Sequence, residues 1–98
     1  MAKPVVHRFW IGPLSNLSAS CILALATWAS CTNIVWVYEL SAAKQFFGKT
    51  VRVQDASDVL PEEEMRFMQR NGAQKQLIKD LFSFRVVFAY GGWFADFD

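Results

Sequence analysis

The sequence predicts an α/β fold built on a mainly parallel sheet, and three observations carry that prediction. Short β-branched or aromatic runs alternate with helix-patterned segments along the chain. One of these runs, IVWVY at 34–38, is continuously apolar instead of alternating, the pattern of a strand covered on both faces. No linker, internal repeat or low-complexity segment divides the 98 residues, so a single domain over 1–98 is expected.

Taken in order, VVHRFWI at 5–11 closes on Gly12 and Pro13 and reads as a strand ending in a turn. Ser15 or Asn16 then offers a cap for a helix reaching about Cys31, where Leu17, Leu25, Trp28 and several alanines make a surface apolar nearly all round. After the strand at 34–38 comes a short helix over 41–47, stopped by Gly48. TVRV at 50–53 alternates like a third strand, and 55–58 is loop material. Pro61 and the acids Glu62, Glu63 and Glu64 suit the first turn of a helix that runs to about Arg70 and ends at Asn71-Gly72.

The next helix covers 73–90, with Leu77, Leu81, Phe84 and Phe88 on one stripe and Ile78, Phe82 and Ala89 beside it. Gly91-Gly92 ends it, and WFADFD at 93–98 reads as a strand with Asp96 and Asp98 on one face. Strands joined through helical crossovers give three layers, and ligands of such sheets sit at the carboxyl ends of the strands. Trp10 and Asp98 are both expected there.

Composition narrows the function. Ten Lys+Arg against nine Asp+Glu give a net charge of +1, and the absence of any basic run argues against a nucleic-acid partner. Cys21 and Cys31 have no metal-ligand spacing and read as two reduced core thiols, which favours the cytoplasm. His7, the single histidine, sits inside a strand, where it packs or orients; with one histidine there is no Ser-His-Asp arrangement. Apolar residues make up 53% of the chain, more than one modest core hides, so part of the apolar surface is expected to want a partner.

A rival reading starts from the absence of charge between Ile11 and Tyr38: a small, non-enzymatic membrane-anchored protein with a helix near 18–38. Pro13 and the polar residues Ser15, Asn16, Ser18, Ser20, Thr27, Ser30, Thr32 and Asn33 argue against it.

Two carboxylates at i and i+2 on a strand end can seat a hard divalent cation, which takes oxygen ligands and keeps positions for phosphate and water. Here they follow a long apolar helix, Gly-Gly and an aromatic pair, in KDLFSFRVVFAYGGWFADFD. That stretch resembles the signature of the glycosyltransferases with a DXD-containing sugar-binding region, a group that includes capsular-polysaccharide and Golgi mannosyltransferases. Their pattern runs Ser-Asp-Leu-x-Arg, apolar residues, Gly-Gly, an aromatic and Asp-x-Asp. HRFWIGPL, from His7 to Leu14, is similar to the family's opening motif, a strand ending in Trp-x-Gly.

The resemblance implies a glycosyltransferase A-type, Rossmann-like fold, here truncated after the DXD strand. It implies a metal-dependent enzyme moving a hexose, with retention of configuration, from a UDP- or GDP-hexose to a saccharide or glycolipid acceptor. Asp96 and Asp98 would hold Mn²⁺ or Mg²⁺ on the diphosphate, with Asp98 the direct ligand and Asp96 also touching the ribose or sugar. Trp10 would lie by the nucleotide base, and Asp80 would bind sugar hydroxyls. The sequence departs from the pattern at Lys79, where Ser is usual, and at Ser83, where the sugar-contacting Arg is usual. Arg85 stands two residues on, about 200° around a helix, and reaches the pocket from another direction or pairs with an acid.

Family members continue well past the Asp-x-Asp, so the 98 residues are expected to be the donor-binding half, inactive alone. Polysaccharide biosynthesis in the cytoplasm, with peripheral association at the membrane face, is the setting the resemblance implies. A nucleotidyltransferase would share the metal logic but needs a basic triphosphate loop after the first strand, and Gly12-Pro13-Leu14-Ser15 lacks one.

Overall fold

A computed structural model describes residues 3–17, 30–47 and 51–97. Strand β1 (Val5–Phe9) leads through a 3-10 turn (Leu14–Asn16), and strand β2 (Thr32–Val37) is followed by helix α1 (Leu40–Phe47). Strand β3 (Arg52–Asp55) runs into a second 3-10 turn (Ala56–Asp58), then helices α2 (Glu62–Arg70) and α3 (Lys75–Tyr90) and strand β4 (Trp93–Phe94). Most of the expected first helix, with Cys21, lies outside the described residues, as do Gly48, Thr50 and Asp98. Where that helix was expected to begin, the chain makes the 3-10 turn and Leu17 is extended.

The sheet order is β3-β2-β1-β4 and every pair is parallel. β1 pairs along its whole length with β2, Val5 facing Thr32 and Phe9 facing Trp36. On its other side it meets β4, where Val6 faces Trp93 and His7 faces Phe94. The chain therefore steps outward from β1 to β3 and returns to the opposite flank of β1, which makes the carboxyl ends of β1 and β4 the topological switch point. The α/β class and the parallel sheet match the sequence reading, and from β2 onward the described elements come in the expected order. The last strand is shorter than the expected 93–98, although the Ala95 amide still donates to the His7 carbonyl at 3.0 Å.

Alternation along the strands divides the core into two layers. Phe9, Ile34 and Trp36 pack with Leu60, Met65, Ile78, Phe82 and Val86 under α2 and α3. Val35 and Val37 pack with Leu17, Ala43, Phe47, Val51 and Phe97 on the α1 side. Phe9 and Phe82 stack with ring centroids 3.9 Å apart and planes within 5°.

The side of α3 turned to the sheet is Ile78, Phe82 and Val86, spaced four and four. Of the stripe that stands out in the sequence, Leu77, Phe84 and Phe88 are turned outward, Phe88 exposed by 85% and its ring stacked on that of Phe84, while Leu81 is half-buried against the core. A helix apolar on most of its circumference does not announce its inner face by periodicity; the fit of Phe82 onto Phe9 chooses it here. Among the described residues, exposed large apolar side chains are found on this outer stripe and at Phe46, Phe67, Tyr90 and Trp93.

His7 is fully buried on the α3 side of the sheet, beside Trp36. The Trp36 indole N–H donates to its Nδ1 at 3.0 Å, and because an indole is donor only, Nδ1 must carry the lone pair. The proton therefore sits on Nε2, which donates to the Gly91 carbonyl at 3.0 Å. Burial holds the imidazole below its ordinary pKa of 6.5, against the opposing pull of the Gly91 hydrogen bond.

Three outcomes follow from this packing. Phe82→Ala is expected to cost about 3–5 kcal/mol in urea unfolding, the usual cost of emptying a buried phenylalanine site. Phe84→Ser with Phe88→Ser should change stability by less than about 1 kcal/mol and reduce binding of a hydrophobic dye. Because the folded chain resists protonation of His7 while the unfolded chain does not, stability should be whole above pH 6.5 and fall as the pH drops toward the depressed value. Urea midpoints between pH 7.5 and 5 measure that slope, and His7→Gln should flatten it.

Candidate functional site

The carboxyl edge of β1 places Trp10 directly after the strand, its amide bonded to the Trp36 carbonyl at 3.1 Å. Gly12 takes a φ of 108°, and this turn lets the Trp10 indole N–H reach the Pro13 carbonyl at 3.1 Å. The indole is thus fixed from both sides of the turn.

The segment after β4 comes up beside it for three reasons. Gly91 caps α3 at φ 73°, and Gly92 at φ 82° brings the chain so close to β1 that a Cβ there would lie 2.7 Å from the Val5 carbonyl oxygen. Arg8, buried in β1, donates from its guanidinium to the Asp96 carbonyl at 2.6 Å and lies over the Phe97 ring. Phe97 is itself buried and meets Trp10 edge to face, with centroids 5.9 Å apart and planes at 88°. Burial lowers the Arg8 pKa, and the Asp96 charge opposes that shift.

Trp10 and Asp96 are therefore brought to one edge. Asp96 is exposed, and its carboxylate makes no hydrogen bond or ion pair among the described residues. Asp98 is outside the described residues, and no group of three potential metal-ligating side chains occurs among those described. Asp80 is exposed on α3, its carboxylate accepting from Gln76 Nε2 at 2.9 Å.

Arg85 is elsewhere. It donates twice to the Glu64 carboxylate, at 3.0 and 2.7 Å, and joins α3 to α2. That hydrogen bonding holds the Glu64 carboxyl below its usual range. Of the two alternatives open for Arg85, pairing with an acid is the one observed. Ten residues separate it from Lys75, about 15 Å along a helix.

Sequence reasoning missed the wall opposite Trp10. A cleft of about 260 Å³ opens between the ends of β1 and β2 and helix α2, lined by Trp10, Gly12, Tyr38, Glu39, Glu62 and Arg66 among others. Arg66 pairs with Glu62 at 3.0 Å across one turn of α2. The Tyr38 hydroxyl donates to the Leu60 carbonyl at 2.8 Å, and burial, with nearby carboxylates, pushes its pKa up, so it stays a donor. The acids at 62–64 read in the sequence only as a helix start; that one of them faces the strand ends depends on how α2 packs.

Compared with protein-family models, curated proteins and solved structures, the chain has no match. Of the stretch 18–38, residues 32–37 form strand β2, and no helix among the described residues is long and apolar enough to cross a membrane.

The Arg8 anchor can be tested by Arg8→Met. Losing a charged donor should cost about 1.5–3 kcal/mol, and hydrogen exchange should quicken at the Ala95 amide while β2 amides keep their protection. Unaltered exchange at Ala95 would show that the segment is held by something other than Arg8.

Proposed function

We propose that the chain is the donor-binding part of a metal-dependent glycosyltransferase, taking a UDP- or GDP-hexose whose sugar passes to a saccharide or glycolipid acceptor. The observation that supports this most is the meeting of Trp10 with the Asp96–Phe97 segment at the switch point of an all-parallel sheet, beside a cleft. Open α/β sheets bind nucleotides at such a point.

In this reading Trp10 presents its indole to the nucleotide base, and Asp80 takes sugar hydroxyls from the first turns of α3. Asp96, exposed and without an ion pair among the described residues, and Asp98 would hold Mn²⁺ or Mg²⁺ against the diphosphate. A lone carboxylate pair fits such an ion, which keeps water and takes phosphate oxygens for its other positions. When bound, the ion offsets the charge that develops on the departing nucleoside diphosphate. Arg85, engaged with Glu64, is given no part in donor binding. The glycosyltransferase A-type fold, the cytoplasmic setting at the membrane face and a role in polysaccharide assembly belong to the same proposal.

Calorimetric titration of UDP and GDP with and without Mn²⁺ tests it. One of the two nucleotides should bind with an affinity that rises with Mn²⁺, and Asp98→Ala should abolish the metal-dependent part. Trp10→Ala should weaken binding about 5- to 150-fold, the range expected of one lost base–aromatic stack. Binding of neither nucleotide in Mn²⁺, or full Mn²⁺ dependence in Asp98→Ala, would sink the proposal.

A further inference from the structure

Two ammonium groups rest over one indole at this edge. Lys75 Nζ lies 5.6 Å and Lys79 Nζ 5.8 Å from the centre of the Trp10 ring. The two lysines are four residues apart on α3, on one face, where like charges repel. Neither ammonium is ion-paired among the described residues. The indole face attracts each cation, by about 0.5–1 kcal/mol at an exposed site, but neutralises neither.

Lys75 also lies close to the backbone. A Cβ on Gly12 would lie 3.8 Å from Lys75 Nζ, so the lysine passes directly over the turn that follows β1. Trp10 belongs to both features, since its ring carries the lysines and also lines the cleft. A ligand with a ring stacked at Trp10 and two linked anionic groups beyond it would meet both needs at once: an aromatic partner for the indole and a counter-charge for the pair.

We propose that Lys75 and Lys79 form the diphosphate-binding half of the site, gripping the two phosphates of a nucleoside diphosphate from the α3 side. The inference rests on the nucleotide reading given above and adds that the chain supplies cations of its own, so part of the phosphate affinity needs no metal. Both side chains are at the surface of the helix, and replacing them leaves the core of Ile78, Phe82 and Val86 untouched.

The experiment is calorimetry on the 98-residue chain in EDTA, with inorganic pyrophosphate, UDP, GDP and the unphosphorylated nucleosides as probes, at two salt concentrations. The native chain should bind pyrophosphate and one nucleoside diphosphate more weakly at the higher salt. Lys75→Gln with Lys79→Gln should weaken both at least tenfold while nucleoside binding and the circular dichroism spectrum stay unchanged, and Lys75→Arg with Lys79→Arg should restore them. Metal-free pyrophosphate binding that is absent in the native chain, or unaltered in the double Gln variant, would overturn the inference. A second arm in Mn²⁺ separates the two proposals. Metal-dependent UDP or GDP binding that persists at full strength without the lysines removes the lysine site and leaves the transferase reading standing. Lysine-dependent pyrophosphate binding that ignores both Mn²⁺ and Asp98→Ala does the reverse.

Discussion

Strand β1 is paired on both edges and covered on both faces, and that obliges its two polar side chains to find partners inside the protein. His7 does so by spending both ring nitrogens, one accepting from Trp36 in β2 and the other donating to Gly91 at the end of α3. Arg8 does so by reaching the Asp96 carbonyl. An unpaired buried imidazole or guanidinium is costly, so each bond constrains the element that supplies the partner. The end of α3 must come to His7, and the segment after β4 must come to Arg8. Much of the remaining geometry is a consequence of those two requirements.

The consequence for the site is direct. Because β4 is parallel to β1 and its register is fixed at Val6–Trp93, each later residue of the terminal segment rises beside the matching residue of β1. Phe97 arrives at the level of Trp10, and its burial among Val35, Val37 and Phe47 keeps it there. The apolar residues of WFADFD thus have two jobs split by alternation: Phe94 joins the layer beneath α3, and Phe97 joins the layer beneath α1. Asp96, between them, is left exposed. Gly92 makes the arrangement possible, since any side chain there would meet the Val5 carbonyl.

Much of this was legible in the sequence because it depends on local pattern. The continuous apolar run of β2, the proline before α2 with the acids in its first turn, and the glycines after α3 are each short-range signals with one structural meaning, and the structure agrees with all three. Other features depend on what a residue meets across space. Ile78, Phe82 and Val86 are no more apolar than Leu77, Phe84 and Phe88; only the position of Phe9 separates them. Arg8 and His7 look alike as polar interruptions of a strand, and nothing local says that one secures the helix end and the other the terminal segment. The cleft wall of Glu39, Glu62 and Arg66 comes from two places in the chain, the turn after β2 and helix α2, and exists only once α2 has packed beside the strand ends.

The charge at the carboxyl edge follows the same distinction between sequence neighbours and spatial neighbours. Arg85 stands close to Ser83 along the chain, yet two residues turn the helix by about 200°, and there it meets Glu64 on α2. Positions 75, 79 and 83 are spaced four and four, so they form one row on the surface of α3. Two of its three positions are lysines, and their ammonium groups lie over the Trp10 indole. One helix thus serves two neighbours: the lysines of this row lie by Trp10, while Arg85 holds α2 against α3.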